Sequence, residues 1–170
     1  AFTKGNKFDP GAEVFISDFY NDAIQNEALT YTLDEMLALG GEFWMFGQTR
    51  TPGEFLIQAE KVAKSPTNPA TRVIKMICDD RRFLVDSVVS EVASHGIDVL
   101  GLYHPIVPGA RTAKGRWVED KDADAATHVS ESMIMIIIPA QTAANIRRGK
   151  AGIEETMTEF YETVGHLNRL

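Results

Sequence analysis

The stretch that decides the fold is TRVIKMICDD (Thr71–Asp80), RRFLVDSVVSEVASHG (Arg81–Gly96) and IDVLGLYHPIV (Ile97–Val107). In the first piece Ile74, Met76 and Cys78 alternate with Val73, Lys75 and Ile77, the period-2 pattern of a strand with at least one buried face. Asp79 and Asp80 follow. Either can cap a helix by accepting hydrogen bonds from its first free N–H groups, and both carry the sign that a helix N-terminus favours. Leu84, Val88 and Val92 then recur at spacing four, joined by Val85 and Val89, which predicts a helix with one apolar stripe. Gly96 stands where a left-handed residue ends it. Ile97 to Val107 is expected to be a second strand, closed by Pro105 and Pro108. Strand, helix and strand in this order make a βαβ-type unit with its helix on one sheet face.

Working outward, Ser132 to Pro139 (SMIMIIIP) is apolar at all but its first and last positions, as in a central strand buried on both faces. Between lies Arg111 to Val129, the least patterned part, expected to be a long loop with a short extension of the preceding strand. Upstream, Phe55 to Val62 reads as a short strand and Arg50-Thr-Pro-Gly53 as a turn. An eight-residue loop (63–70) would let the Phe55 strand pair antiparallel with the Thr71 strand. Thr32-Leu-Asp-Glu35 is a capping box that opens a helix, whose face carries Met36, Leu37, Leu39, Phe43, Trp44 and Phe46. Gly40-Gly41 inside it costs about 1 kcal/mol per glycine relative to alanine, so another element must come close there or the helix must bend. The Phe43, Trp44 and Phe46 cluster is core, or else an intersubunit or interdomain contact. Glu13 to Ala28 reads as a first helix with Val14, Phe15, Asp18, Phe19 and Ile24 on its face. Ala1 to Pro10 is a loose terminus. Thr142 to Leu170 is helical in composition, firmest over 153–167, and stops in mid-pattern as a truncation inside a longer protein would.

The expected class is α+β: a ferredoxin-like antiparallel sheet with helices packed on one face, plus N-terminal helices. From Thr71 the order is β-α-β-β-α, a split βαβ unit lacking its last strand, whose edge the Phe55 strand could fill. The expected division is a helical appendage over 1–50 and the α+β domain over 51–170.

Composition narrows function. Among 170 residues the net charge is −7, which argues against a phosphate-binding surface, because nucleic-acid binders gather Lys and Arg on one face. No apolar run approaches the roughly 18–20 residues that span a bilayer, and the first residues show no n-region, apolar core and cleavage site, so neither a membrane span nor a secretory signal is expected from this stretch. The single cysteine, Cys78, precludes an internal disulfide and fits a reducing cytosol. In its strand pattern it is a small buried hydrophobe; a reactive thiol would need exposure and a basic neighbour. The four histidines, His95, His104, His128 and His166, include no i, i+4 pair, so no zinc site is expected; His95 suits a helix C-terminus. There is no GxSxG elbow, GxGxxG or P-loop. Asp79 and Asp80 could serve as acid and base, but capping is the simpler role. Arg81-Arg82 at a helix start opposes the helix dipole. It either pairs with Asp79 or Asp80 or meets an anionic ligand or partner carboxylate.

Asp79-Asp-Arg-Arg-Phe-Leu-Val-Asp-Ser87 followed by Gly96-Ile-Asp-Val99 resembles the strand–helix signature of an ACT domain, a small amino-acid-sensing module. Phe19-Tyr20, Phe43 to Gly53 (FWMFGQTRTPG), Asp79-Asp80, Phe83 to Val88 (FLVDSV) and His104-Pro105 together resemble the N-terminal region of the large bacterial NAD-specific glutamate dehydrogenases. The similarity runs from about Asp18 onward. It implies an ACT-like domain with no catalytic or cofactor-binding residues and no metal of its own, in a cytoplasmic parent that deaminates glutamate oxidatively to 2-oxoglutarate with NAD. Its partners would be other domains of that chain and further copies in a homo-oligomer, with an amino acid as candidate effector, and neither nucleic acid nor membrane. The ligand residues implied are Asp79, Asp80, Arg81, Arg82, Phe83, Ile97 and Asp98. Amino-acid-binding ACT domains carry a glycine just after the first strand. Here that place falls to Phe83, or to Arg82 if the register slips by one, and a side chain would fill or narrow the usual site. That shifts weight from sensing to assembly. A small enzyme using Asp79, Asp80 and His104 is the remote rival, and a cavity enclosing all three would revive it.

Overall fold

The computed structural model describes residues 10–21, 24–25, 31–62, 64–66, 68–118, 126–140, 147–148, 150–152 and 155. Its sheet is built on β7 (Thr127–Pro139), whose alternate residues are buried on both sides as the all-apolar run requires. β3 (Thr71–Asp79) pairs with it antiparallel from Thr71↔Pro139 to Asp79↔Glu131. β2 (Leu56–Val62) pairs antiparallel with the outer side of β3, from Leu56↔Ile77 to Val62↔Thr71. It therefore takes the edge that the last strand of a split βαβ unit would fill, as expected.

On its other side β7 is flanked by β4 (Gly101–Tyr103) and β5 (Ile106–Arg111). These were expected to be one strand from Ile97 to Val107. His104-Pro105 interrupts it because proline has no N–H to give the ladder, and the Pro105 carbonyl still accepts from Met133 N–H at 3.1 Å. A two-residue β1 (Ile24–Gln25) lies outside β4. The expected long loop after Arg111 is partly a hairpin instead. β5 continues to Arg111 and turns through Gly115, at φ 77°, into β6 (Trp117–Val118). β7 starts five residues before the apolar run, in the polar segment Thr127–Glu131, because those residues take their pairing from β5 rather than from burial.

Each face of the sheet has its own core. Val73, Ile77, Met133, Met135, Ile137 and Tyr103 face two N-terminal helices. In α1 (Pro10–Asn21) the buried set is Ala12, Phe15, Ile16 and Phe19, an i, i+3, i+4, i+7 stripe. This helix starts and ends earlier than expected. Pro10 suits a first turn where no N–H is needed, and Val14 and Asp18, expected on the buried face, are exposed. In α2 (Leu33–Phe46) the capping box forms as read, with the Thr32 hydroxyl accepting from Glu35 N–H at 3.3 Å. Close approach accounts for Gly40, where a Cβ would lie 3.1 Å from Ile16 Cγ1. Phe43 and Trp44 pack against Phe15, and Phe19 stacks on Tyr103 with centroids 5.0 Å apart.

The other face receives α3 (Leu84–Ser94), whose Leu84, Val88 and Val92 meet Ile74, Met76, Cys78, Ile134, Ile136 and Ile138. Burying each such side chain contributes about 1.5–3 kcal/mol. Cys78 is fully buried, in the role expected of it. Gly96 ends the helix region at φ 67°. Residues 147–148, 150–152 and 155 are helical; most of the helix expected over 142–170, and its end at Leu170, lie outside the described residues.

Candidate functional site

The connection from β3 to α3 holds most of the residues singled out from the sequence. Neither aspartate caps α3, contrary to expectation. The N-cap is Phe83, with no side-chain cap bond, because both carboxylates are taken by other partners. Asp79 Oδ1 accepts from Arg50 Nη2 at 2.6 Å and its Oδ2 from Gly53 N–H at 3.0 Å. Asp80 Oδ1 accepts from the Ser132 hydroxyl at 2.6 Å, and Asp80 N–H donates to Ser130 O at 2.9 Å. The Ser132 oxygen lies 3.2 Å from His104 Nε2. Since Ser132 gives its proton to Asp80, His104 is assigned as the donor to Ser132. In a nucleophilic triad the serine proton would run toward the histidine, and Ser132 is wholly buried. The line of three ties the β4–β5 junction, across β7, to the loop after β3. Burial holds the His104 imidazole below its ordinary pKa, against the opposing pull of Asp80.

Arg81, Arg82 and Phe83 face solvent. The expected Arg81 or Arg82 pairing with Asp79 is replaced by Arg50; Arg81 Nη1 donates instead to the Asp80 carbonyl at 3.2 Å. With His104 and Ile106 they line a cavity of about 370 Å³. Asp80 and His104 border it, while Asp79, turned to Arg50, does not. Phe83 has φ 63°, a left-handed conformation that costs a residue with a Cβ roughly 1–2 kcal/mol. It stands in a glycine's backbone geometry, yet its side chain does not close the cavity, for it is 75 % exposed. The Phe83 carbonyl accepts from both Ser87 N–H, at 3.0 Å, and the Ser87 hydroxyl, at 2.9 Å. Ile97 and Asp98 are not brought to this place. They follow the far end of an 11-residue helix, about 16 Å away at 1.5 Å per residue; Ile97 is core and Asp98 is exposed.

The structure adds a buried ionic clasp that the sequence did not reveal. Arg50 Nε and Nη2 donate to Glu131 Oε1 at 3.0 and 2.6 Å. From the other side Arg111 Nε donates to Oε1 at 2.6 Å and Nη2 to Oε2 at 2.7 Å. Arg111 also donates to the carbonyls of Gly47 and Gly115, each at 2.8 Å, and its guanidinium lies over Trp117 at 5.1 Å. All three residues are at most 1 % exposed. Burial disfavours the Arg50 charge, but hydrogen bonds to Glu131 and Asp79 outweigh it and hold its pKa above the ordinary value. With Asp79 the clasp balances two positive and two negative charges. It ties the α2–β2 connection to the β5–β6 hairpin, alongside Arg50 N–H to Gly115 O at 2.8 Å and Trp117 N–H to Gln48 O at 2.9 Å. One available signal was Glu131 itself, a lone acid abutting an all-apolar strand. Lys75 is likewise buried in β3 and pairs with Glu60 on β2 and, at 3.8 Å, with Glu42 on α2.

Among the described residues no group of three or more His, Cys, Asp or Glu could hold a metal ion, and no helix is long and apolar enough to cross a membrane. A β-α-β-β order, an antiparallel sheet centred on β7, and an open polar loop at the start of α3 define an α+β module of the ACT-like class. The family model of the glutamate dehydrogenase ACT1 domain matches residues 15–151, and the chain belongs to that family. No curated protein and no solved structure shows significant similarity to it.

Proposed function

We propose that this chain is a non-catalytic assembly module of a cytoplasmic, NAD-dependent glutamate dehydrogenase that deaminates glutamate oxidatively to 2-oxoglutarate, and that it mediates contacts between copies of the parent through the start of α3. NAD and the substrate would be held by other parts of that parent. The observation that carries the reading is Phe83. It is 75 % exposed in a strained backbone conformation and borders the same cavity as Ile106, itself 52 % exposed. Strain at an exposed aromatic is retained where the side chain has a task. Arg81, Arg82 and Asp86 around it give a mixed-charge rim, which suits a self-complementary contact.

Light scattering on the chain tests this. A concentration-dependent mass above 18.8 kDa is expected, falling to that of one chain in Phe83→Gly, whose fold the left-handed geometry tolerates. A single-chain mass at every concentration, or an unchanged assembly in Phe83→Gly, overturns it.

A second reading rests on the cavity itself. Two exposed arginines at its mouth would hold the carboxylate of an amino acid, and binding would act by favouring one arrangement of an ACT dimer. Calorimetric titration with glutamate, aspartate, arginine and the branched-chain amino acids distinguishes it. Saturable heat that Arg81→Ala/Arg82→Ala abolishes supports sensing, and no heat with any of them removes it.

A further inference from the structure

A larger cavity lies elsewhere, between α1, β5, β6 and the start of β7. It measures about 680 Å³, within the range of small-molecule sites, and shares no lining residue with the cavity at Phe83. Phe15, Trp44, Val107, Trp117 and Val129 supply its walls. Among the described lining residues Asp18 is the single carboxylate, and neither Lys nor Arg is present.

We propose that this cavity binds a small organic ammonium, a protonated amine carried on an aromatic or branched apolar group. The walls would bury the apolar body. Asp18, exposed on α1 at the border, would meet the ammonium, and a cation–π contact would use an indole face other than the Trp117 face that Arg111 covers. An anion would face Asp18, and among the described lining residues neither Lys nor Arg would receive it; His128 is the one imidazole there.

The aromatic wall is set before any ligand arrives. Trp117 is fixed by Arg111 on one face at 5.1 Å and by the edge of Trp44 at 5.9 Å. Arg111 in turn is locked by Glu131. Trp44 is backed by Phe15, with centroids 5.4 Å apart. Trp117 also lies so close over Gly109 that a Cβ there would fall 2.2 Å from its Cζ2. A wall held this way loses little entropy on binding, which favours affinity.

The chain has two tryptophans and both line this cavity, so fluorescence and the two indole N–H resonances report on it directly. The probes are 2-phenylethylamine, 2-phenylethanol and 3-phenylpropionate, which present a cation, a neutral group and an anion on a phenylalkyl body. The amine is expected to shift emission saturably and move both indole resonances. The alcohol should bind about threefold to thirtyfold more weakly, the range an exposed ion pair and a cation–π contact supply together, and the anion more weakly still. Asp18→Asn should bring the amine down to the alcohol's affinity. Gly109→Ala, which displaces the indole, should weaken both. The proposal is overturned if the amine produces no saturable change at either indole, if the anion binds as tightly as the amine, or if Asp18→Asn leaves the preference for the amine intact.

Discussion

Replacing Glu131 with glutamine preserves the shape at the centre of the buried clasp and removes its charge. Four N–H···O contacts from Arg50 and Arg111 now end on the two carboxylate oxygens. Glutamine offers one oxygen and turns an NH2 group toward a guanidinium that can only donate. Arg50 keeps Asp79, and with the amide oxygen in the Oε1 place Arg111 keeps its Nε contact, two carbonyls and the Trp117 face but loses the bond at Oε2 to an opposing NH2. The balanced set becomes one positive charge in excess, at arginines no more than 1 % exposed. An arginine cannot escape by losing its proton. Breaking a buried pair in this way costs about 3–5 kcal/mol, which for 170 residues lowers Tm by roughly 6–20 °C. Thermal unfolding followed by circular dichroism measures the fall in Tm, and urea unfolding followed by tryptophan fluorescence the free energy; guanidinium salts would screen the pairs under test. Asp79→Asn is the companion, expected to cost less because the Asp79 side chain is 20 % exposed and water can replace part of what is lost. A fall in Tm below about 3 °C for Glu131→Gln would refute the reasoning, since it would mean that water reaches both arginines.

Three further outcomes follow from the packing. Gly40→Ala gains about 1 kcal/mol of helix propensity but sets a methyl 3.1 Å from Ile16 Cγ1; overpacking of about 1–3 kcal/mol outweighs it, and a net gain in urea midpoint would disprove the close α1–α2 contact. Tyr20→Phe removes the bond from the Tyr20 hydroxyl to Met36 O at 2.6 Å, a loss of about 1 kcal/mol. Burial, then Tyr103 and Tyr31, raises the Tyr20 pKa; its contribution is whole below the unfolded value of about 10 and lost as pH rises past it, so the variant should show a flatter alkaline stability profile. For His104 the folded pKa is lowered, chiefly by burial. Its contribution is present above the unfolded value of about 6.5 and lost as pH falls through the lower folded one. His104→Gln should therefore blunt the loss of stability below pH about 6.5, and an unchanged acid limb would mean that His104 is as easily protonated folded as unfolded.

The contrast between Val73 to Cys78 and Glu131 explains which parts of this fold were legible in the sequence. Where burial alone selects residues, the period of the pattern is the structure: the alternation in β3 and the unbroken run in β7 gave both faces of the sheet, and Leu84, Val88 and Val92 gave the helix above one of them. The Thr32–Glu35 capping box was equally plain, because both its partners lie within one turn. Polar contacts between distant segments leave no such period. Arg50 stood in a turn and Arg111 in an apparent loop, and nothing local says that they meet on Glu131, residues 81 and 20 positions away. The same blindness misplaced the aspartates. A carboxylate before a helix is a good cap in isolation, but Asp79 faces Glu131 at the last rung of the β3–β7 ladder and Asp80 follows it, bonded to Ser130 and Ser132, so a guanidinium and a hydroxyl hold them. With its carboxylates diverted, the turn into α3 has no side-chain cap, and Phe83 enters the helix from a left-handed conformation with its ring in solvent. The buried clasp and the exposed aromatic are thus two ends of one arrangement: with Asp79 drawn inward to Arg50, Arg81, Arg82 and Phe83 stand outward, on the surface proposed for assembly contacts.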